Sequence, residues 1–318
     1  MLDLIIWVLV FIASMITLIK ASGYFINSAE KIGVALKISP FIVGVTIVAL
    51  GTSLPELVSS IFAVIQGASE MVIGNVIGSN ITNIFLILGI AAVLTKNKLT
   101  VDRGLIHVDL PLLFGSAVFL TIAVWDQKFT LVEAILALAL ATVYILSTVK
   151  LQHADTKTKR EVKKRGKKRK VELKTGLILL LSGLLIVLAA RYTVESVIHL
   201  SAILNIGTEI IAISAVALGT SLPELFVSVT AAKKGHAEMA IGNILGSNIF
   251  NALAVMGIPA LIGDLTIPRS ILTFGIPVML IATLVYFFTT QDQEVTKWEG
   301  WMLLILYVLF MGKLFNLF

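Results

Sequence analysis

Val48-Ala-Leu-Gly-Thr-Ser-Leu-Pro-Glu-Leu57 is repeated without any change as Val216–Leu225. A second stretch, Glu70–Asn83, is repeated with four differences as Glu238–Asn251. Both repeats have the same offset, since 224 − 56 = 168 and 251 − 83 = 168. Two separate blocks in one register indicate that a whole unit has been duplicated, not that a short motif has recurred by chance.

Composition places this duplicated chain in a membrane. Its 318 residues are 58% hydrophobic and 14% charged, with a mean hydropathy of +0.99. Repeated apolar runs long enough to cross about 30 Å of hydrocarbon exclude an ordinary soluble domain. The net charge of +6 comes mostly from the tract 150–174, which holds twelve of the 25 Lys and Arg residues. Between apolar spans such a tract is typical of a cytoplasmic loop, so the lipid bilayer and not nucleic acid is the expected partner.

The apolar pattern predicts an all-α membrane protein with about ten transmembrane helices, in two five-helix halves. The halves are predicted at 1–149 and 173–318, joined by a basic cytoplasmic linker at 150–172. An odd number of spans in each half requires the second half to be inverted in the membrane, which is a common plan of secondary transporters. The predicted helices are 2–35, 39–66, 70–94, 104–125, 129–149, 173–204, 208–233, 238–262, 267–290 and 297–317.

The distribution of basic residues predicts the orientation. With the basic tract inside, the loops after the first, third, seventh and ninth spans are also inside and carry most other Lys and Arg residues. The predicted outer loops hold only Lys128 and Arg269. We therefore expect a multi-pass protein of the cell (inner or plasma) membrane, with both termini outside and the basic central loop cytoplasmic.

Glu56 and its counterpart Glu224 are the residues that indicate a function. A carboxylate near the bilayer centre is costly unless it is paired, hydrated or bound to a cation. No Lys or Arg lies near the motif within either helix, so a bound cation is the simplest partner. The alternative is a pair of protonated Glu side chains that only connect helices.

The surroundings of both carboxylates are rich in oxygen. Thr52 lies four residues before Glu56 and is expected on the same helix face. Pro55 has no N–H to donate to the carbonyl of Gly51, so it should kink the helix and free that oxygen, as Pro223 should in the second half. Hydroxyl, carbonyl and carboxylate oxygens suit Ca²⁺ and Na⁺ better than softer transition metals.

The second block adds polar residues with helical spacing. Asn75, Ser79 and Asn83 recur every four residues, and the second half repeats the pattern. Asn and Ser in membrane helices often only connect neighbouring helices. That reading suits Asn75, Asn80, Asn243 and Asn248, whereas the better candidates for cation ligands are Ser79, Asn83, Ser247 and Asn251.

Together the doubled GTSLPE and GN-x-x-GSNI-x-N motifs resemble the α-repeats of the calcium/cation antiporter superfamily, most nearly its prokaryotic sodium/calcium exchangers. The resemblance implies Na⁺/Ca²⁺ antiport by alternating access, with Ca²⁺ and Na⁺ as the transported ions and the first and sixth helices sliding as a gate. It also implies that Glu56 and Glu224 are shared between both ions. The other ligands it implies are Thr52, Thr220, Ser53, Ser221, Ser79, Ser247, Asn83, Asn251 and the carbonyls of Ala49 and Ala217.

One position departs from this pattern, because several relatives, including the potassium-dependent branch, carry Asp where this chain has Asn251. With Asn at both matching positions the site has two formal negative charges, which predicts K⁺ independence and electrogenic exchange. The alternatives are an H⁺/Ca²⁺ antiporter and a cation channel. No HExxH or G-x-S-x-G motif or plausible triad is present, so neither an enzyme nor a prosthetic cofactor is expected, and the chain is predicted to function as a monomer.

Overall fold

The computed structural model describes residues 2–35, 49–95, 99–100, 103–153, 173–233, 235 and 237–317. The first half contains α1 (Leu2–Ala35), α2 (Ala49–Thr52), α3 (Leu54–Ile65), α4 (Glu70–Ile81, π-helical Thr82–Leu88, Gly89–Leu94), α5 (Arg103–Ala123) and α6 (Leu131–His153). The second half contains α7 (Leu173–Leu204), α8 (Thr208–Ile211, π-helical Ala212–Val216, Ala217–Thr220), α9 (Leu222–Lys233), α10 (Ala237–Phe250, π-helical Asn251–Val255, Met256–Ala260), α11 (π-helical Ile271–Gly275, Ile276–Gln291) and α12 (Lys297–Leu314).

Most predicted helices are confirmed, but two predicted spans are not single helices. The span predicted at 39–66 is divided into α2 and α3, and its part 39–48 lies outside the described residues. The span predicted at 208–233 is divided into α8 and α9, which meet at an angle of 43°. Each division is a single turn residue two positions before the motif proline, so the helix is interrupted where the kink is predicted.

The number of spans remains a prediction. Within the described ranges, five helices are long and apolar enough to cross a membrane, and α8 with α9 makes a sixth. The other apolar helices are shorter than a full span by this measure. The linker predicted at 150–172 lies outside the described residues from 154 onwards, so its boundaries stay a prediction.

Within the described residues, four two-residue strands, which the sequence did not predict, reveal the inversion of the halves. They are β1 (Leu99–Thr100), β2 (Lys128–Phe129), β3 (Leu265–Thr266) and β4 (Glu294–Val295). By position in the repeat, β1 corresponds to β3, since both follow the long buried helix of their half, and β2 corresponds to β4. However, β1 pairs with β4, and β2 pairs with β3. Because α5 separates β1 from β2, the corresponding connections lie at opposite ends of the molecule, as an inverted repeat requires.

The molecule has a buried centre and a peripheral helix pair. In an apolar window of 18 residues, 83% of α4 and of α10 is buried inside the protein, compared with 17% of α1 and 22% of α7. The peripheral helices α1 and α7 pack along each other around a small apolar core of their own, formed by Met15, Leu18, Ala21, Ile186, Ala189 and Ala190. The two motifs therefore lie between a tightly packed core and a separate outer pair.

Candidate cation site at the centre of the molecule

The helix breaks place both glutamates at the beginning of a helix. Ser53 and Ser221 occupy the turns and adopt nearly the same conformation, with φ −84° and ψ 10° in the first and φ −82° and ψ 5° in the second. Glu56 and Glu224 lie in the first turns of α3 and α9. The unpaired N–H groups of a helix N-terminus stabilise a negative charge there, which partly offsets the cost of burying these carboxylates.

Each half holds the carboxylate of the other half. Ser53 Oγ donates a hydrogen bond to Glu224 Oε1 at 3.2 Å, and Ser221 Oγ donates to Glu56 Oε1 at 3.3 Å. The threonines follow the same pattern, since Thr52 contacts the Glu224 carboxylate and Thr220 the Glu56 carboxylate. That Thr52 and Glu56 share a helix face stays a prediction. The contact of Thr52 with the glutamate of the opposite half was not predicted from the sequence pattern.

Both carboxylates are completely buried and only partly satisfied. Glu56 and Glu224 each have 0% of their surface exposed. In the described part of the chain, neither Glu56 Oε2 nor Glu224 Oε2 has a hydrogen-bond partner. Buried polar atoms are nearly always paired, so two unpaired carboxylate oxygens at the centre of a membrane protein indicate a binding site.

The predicted ligands of α4 and α10 also have free oxygens. Ser79 Oγ is fully buried and has no partner among the described residues, while Ser247 Oγ lies 3.5 Å from Glu224 Oε1. Asn83 and Asn251 each donate through Nδ2 to an asparagine of the opposite half, at 2.9 and 3.3 Å. Their Oδ1 atoms have no partner within the described ranges. Both amide groups are thus oriented by their nitrogen and leave an oxygen available.

Asn75, Asn80 and Asn248 connect helices, as the alternative interpretation proposed. Asn243 also does so, since its Nδ2 donates to Ser228 Oγ at 3.1 Å, but its Oδ1 has no partner among the described residues. Asn80 Nδ2 donates to the carbonyl of Asn248 at 3.3 Å, and Asn248 Nδ2 donates to the carbonyl of Asn80 at 3.4 Å. Asn75 donates to the carbonyl of Glu56 at 3.4 Å and accepts from Thr220 at 3.3 Å. These bonds join α4 to α10 and α4 to both motifs, and they fix the helices that carry the oxygens.

Two structural features of the site were not predicted. Asn83 and Asn251 lie in π-helical stretches, which interrupt the regular helix and are frequent at functional sites. The role of Asn80 and Asn248 in orienting these amides was also missed, although the repeated GSN sequence placed them next to Ser79 and Ser247.

Two backbone carbonyls, those of Ala49 and Ala217, were predicted as ligands. The Ala217 carbonyl accepts from the Ser221 N–H at 3.1 Å, and Ala49 is the first residue of α2.

The donor set consists of hard oxygen atoms. The described residues contain no group of three or more His, Cys, Asp or Glu side chains that could hold a metal ion. A cation at this centre would therefore be bound by two carboxylates together with hydroxyl, amide and carbonyl oxygens. That chemistry fits Ca²⁺ and Na⁺.

Comparison with known proteins agrees with this fold and donor set. The family model for the sodium/calcium exchanger protein matches residues 6–150 and 174–315. The sodium/calcium exchanger MaX1 of Methanosarcina acetivorans is 34% identical over 343 residues, which cover 96% of this chain and 98% of the relative. The putative antiporter CaxA of Alkalimonas amylolytica is 33% identical, over 96% of this chain and 97% of its own length.

Among solved structures, the sodium-calcium exchanger NCX_Mj soaked with Na⁺ and Sr²⁺ is similar, with a TM-score of 0.67 and 28% identity. The match covers 96% of this chain and 98% of that chain. The family match extends over both halves, and the relatives are of nearly equal length. These two findings decide to which family the chain belongs. The chain belongs to the sodium/calcium exchanger family of membrane transporters.

Proposed function

We propose that the chain exchanges Na⁺ for Ca²⁺ across the membrane and binds both ions at the buried glutamate pair. One observation carries the proposal: five completely buried oxygens on the predicted ligands have no partner among the described residues. A cation would satisfy them together, whereas a purely structural role leaves them unexplained. The five atoms are Glu56 Oε2, Glu224 Oε2, Ser79 Oγ, Asn83 Oδ1 and Asn251 Oδ1.

The charges of the site support competition between the two ions. Two ionised glutamates balance one Ca²⁺, and Na⁺ uses the same kinds of oxygen. The further ligands in this proposal are Thr52, Thr220, Ser53, Ser221, Ser247 and the carbonyls of Ala49 and Ala217. If three Na⁺ replace one Ca²⁺, one net positive charge crosses the membrane in each cycle, so exchange is electrogenic. Because Asn83 and Asn251 are neutral, no third charge calls for K⁺.

Alternating access is proposed to involve movement of α1 and α7 over the rest of the molecule. These helices share an apolar core of their own, while Val194 and Val197 of α7 belong to the main core. A hydrogen bond of 2.9 Å from Thr193 to Ser14 joins the two helices to each other. A pair that is bound internally in this way is suited to slide as one body.

The proposed sidedness follows from the basic loop. In this proposal the halves are 1–149 and 173–318, the linker 150–172 is cytoplasmic, both termini are outside and the transporter works as a monomer. The chain has no cysteine, so single cysteines introduced into the linker and near each terminus can be labelled without background. Labelling of the linker by an impermeant maleimide in intact cells would contradict the orientation.

The function itself is tested by ⁴⁵Ca²⁺ uptake into everted vesicles, driven by a Na⁺ gradient in the presence of a protonophore and without K⁺. Na⁺/Ca²⁺ exchange predicts uptake that the protonophore does not stop and that responds to membrane potential. Uptake driven only by a pH gradient would establish the H⁺/Ca²⁺ antiporter instead. Unitary currents in planar bilayers would establish a channel.

A further inference from the structure

A cavity of about 420 Å³ lies between α3 and α7, and neither glutamate of the central site lines it. Arg191, Glu195 and His199 of α7 line one wall. They follow one another at intervals of four residues, so they form one polar stripe along the helix. The stripe lies in the part of α7 that is remote from the basic linker, because α7 begins directly after it.

Arg191 lies level with the end of α3, at the height expected for a lipid headgroup. Its backbone carbonyl accepts from Gln66, the residue that caps α3. Gln66 lies ten residues beyond Glu56, or about 15 Å at about 1.5 Å per residue, which is half of a hydrocarbon layer of about 30 Å, and the Arg191 side chain is exposed. In the described part of the chain, no carboxylate lies within 4.0 Å of the guanidinium group, so it has no ion pair with Glu195 one turn away. A guanidinium group at the membrane boundary without a protein ion pair is a candidate for phosphate binding.

The stripe does not belong to the duplicated transport machinery. Subtracting 168 from 191, 195 and 199 gives the matching positions of α1, which are occupied by Gly23, Asn27 and Lys31. The central site keeps its residues in both halves, whereas this arginine and glutamate occur in the second half only. A ligand of the cavity is therefore expected to be something other than the transported cations.

We propose that the cavity binds the headgroup of a zwitterionic phospholipid with a primary ammonium group, that is, a phosphoethanolamine. Arg191 would hold the phosphate, and Glu195 would hold the ammonium. Residues four apart on a helix are separated by about 6 Å along its axis, which is comparable with the separation of these two charges in the headgroup. An arginine fork suits phosphate recognition, because its planar donors match the phosphate oxygens.

The wall opposite the stripe fits the remainder of a lipid. Phe62 and Ile65 of α3 line it with apolar surface, and 59% of Ile65 is exposed. Gln66 donates from Nε2 to the backbone carbonyl of Arg191 at 3.2 Å, which fixes the two walls relative to each other. His199 is stacked on Trp7 of α1 with ring centroids 3.8 Å apart. An inorganic phosphate would leave the apolar wall unused, and an anionic headgroup would have nothing to place against Glu195.

The test compares lipid binding to the purified full chain by native mass spectrometry, with dioleoyl phosphatidylethanolamine and dioleoyl phosphatidylglycerol as probes. The wild type is expected to retain the ethanolamine lipid more tightly. Glu195→Gln should reverse that preference, since it removes the ammonium partner and the repulsion of an anionic lipid, with a change in the affinity ratio of about tenfold, or ~1.4 kcal/mol. Arg191→Gln should weaken both lipids, and Arg191→Lys should restore part of the binding.

Lys20→Gln is the matched control, because Lys20 is an exposed charge on α1 that does not line the cavity. It should change the binding of neither lipid. Equal retention of the two lipids by the wild type, or a lipid preference that Glu195→Gln leaves unchanged, would overturn the proposal. If Arg191→Gln does not fold, the comparison of Glu195→Gln with the wild type decides alone. Because no ion flux is measured, failure here is separate from failure of the proposed exchange.

Discussion

The two halves have the same motif and the same turn, but they do not hold their glutamates equally. Glu224 accepts hydrogen bonds from Ser53 at 3.2 Å and from Ser247 at 3.5 Å. Glu56 accepts from Ser221 at 3.3 Å, whereas Ser79, the counterpart of Ser247, has no partner within the described residues. Duplication of the sequence therefore does not produce a symmetric site. The inverted halves supply ligands to each other, so a small difference in helix position changes which oxygens are already paired.

The largest effect on Ca²⁺ uptake is expected for the two glutamates, which are identical in both motifs. Glu56→Gln and Glu224→Gln each remove one of the two charges that balance Ca²⁺, so each should lower Na⁺-driven Ca²⁺ uptake by about 100-fold or more, equivalent to ~2.7 kcal/mol. The measurement is ⁴⁵Ca²⁺ flux in vesicles that contain equal amounts of each protein. Ser116→Ala is the control, because Ser116 is a buried serine of α5 that donates to a carbonyl of its own helix. Full activity of either glutamine variant would remove both glutamates from the proposed mechanism.

The glycines of the two motifs lie against different side chains of α1. A Cβ at Gly51 would lie 2.6 Å from Ile26 Cγ1, and a Cβ at Gly219 would lie 1.9 Å from Met15 Cε. The shorter distance is to the end of a flexible methionine, whereas the isoleucine is branched at Cβ and stiff. We therefore expect Gly51→Ala to destabilise the protein by about 1–3 kcal/mol and Gly219→Ala to cost less than ~1 kcal/mol.

Thermal unfolding in detergent measures this difference between the two glycines. Ile26→Ala should restore the stability of Gly51→Ala, because it removes the atoms that the new Cβ would meet. A larger loss for Gly219→Ala would show that α1 is held more firmly at Met15 than at Ile26. The sliding of α1 would then have to be assigned to a different contact.

The glycine and glutamate positions also show what a sequence can predict here. The repeat indicated the fold class and the inversion, because an odd number of spans in each half leaves few solutions. The ligand types that it indicates remain a prediction. The kinks at the motif prolines were predicted, since a proline cannot donate the helical hydrogen bond. The size of the bend between α8 and α9, 43°, was not predicted. The exchange of partners between the halves, and the orientation of Asn83 by Asn248, depend on packing of segments 165 residues apart, which no local pattern records.

The corresponding serines Ser79 and Ser247 are expected to differ in their effect on stability but not in their effect on Ca²⁺ dependence. Ser79→Ala removes a buried hydroxyl that has no partner in the described structure, so stability without ions should not fall. Ser247→Ala removes a donor to Glu224 and should cost about 1 kcal/mol. If both serines bind the transported cation, both variants should raise the Ca²⁺ concentration for half-maximal uptake about tenfold. Unchanged Ca²⁺ dependence in Ser79→Ala would mean that its free oxygen is not a ligand.

The smallest effect is expected for K⁺, and here the two halves should agree. Asn83 and Asn251 are both neutral, and both use Nδ2 to bond an asparagine of the opposite half. K⁺ at the same concentration as Na⁺ should therefore change the initial rate of Ca²⁺ uptake by less than about twofold, or ~0.4 kcal/mol. Asn83→Asp and Asn251→Asp each add a carboxylate and replace a donor by an acceptor beside an amide oxygen, so either variant should gain dependence on an additional monovalent cation. Stimulation of the wild-type protein by K⁺ would contradict this prediction. It would show that a third negative charge is supplied by a residue other than position 251. The neutral asparagines would then not determine ion selectivity.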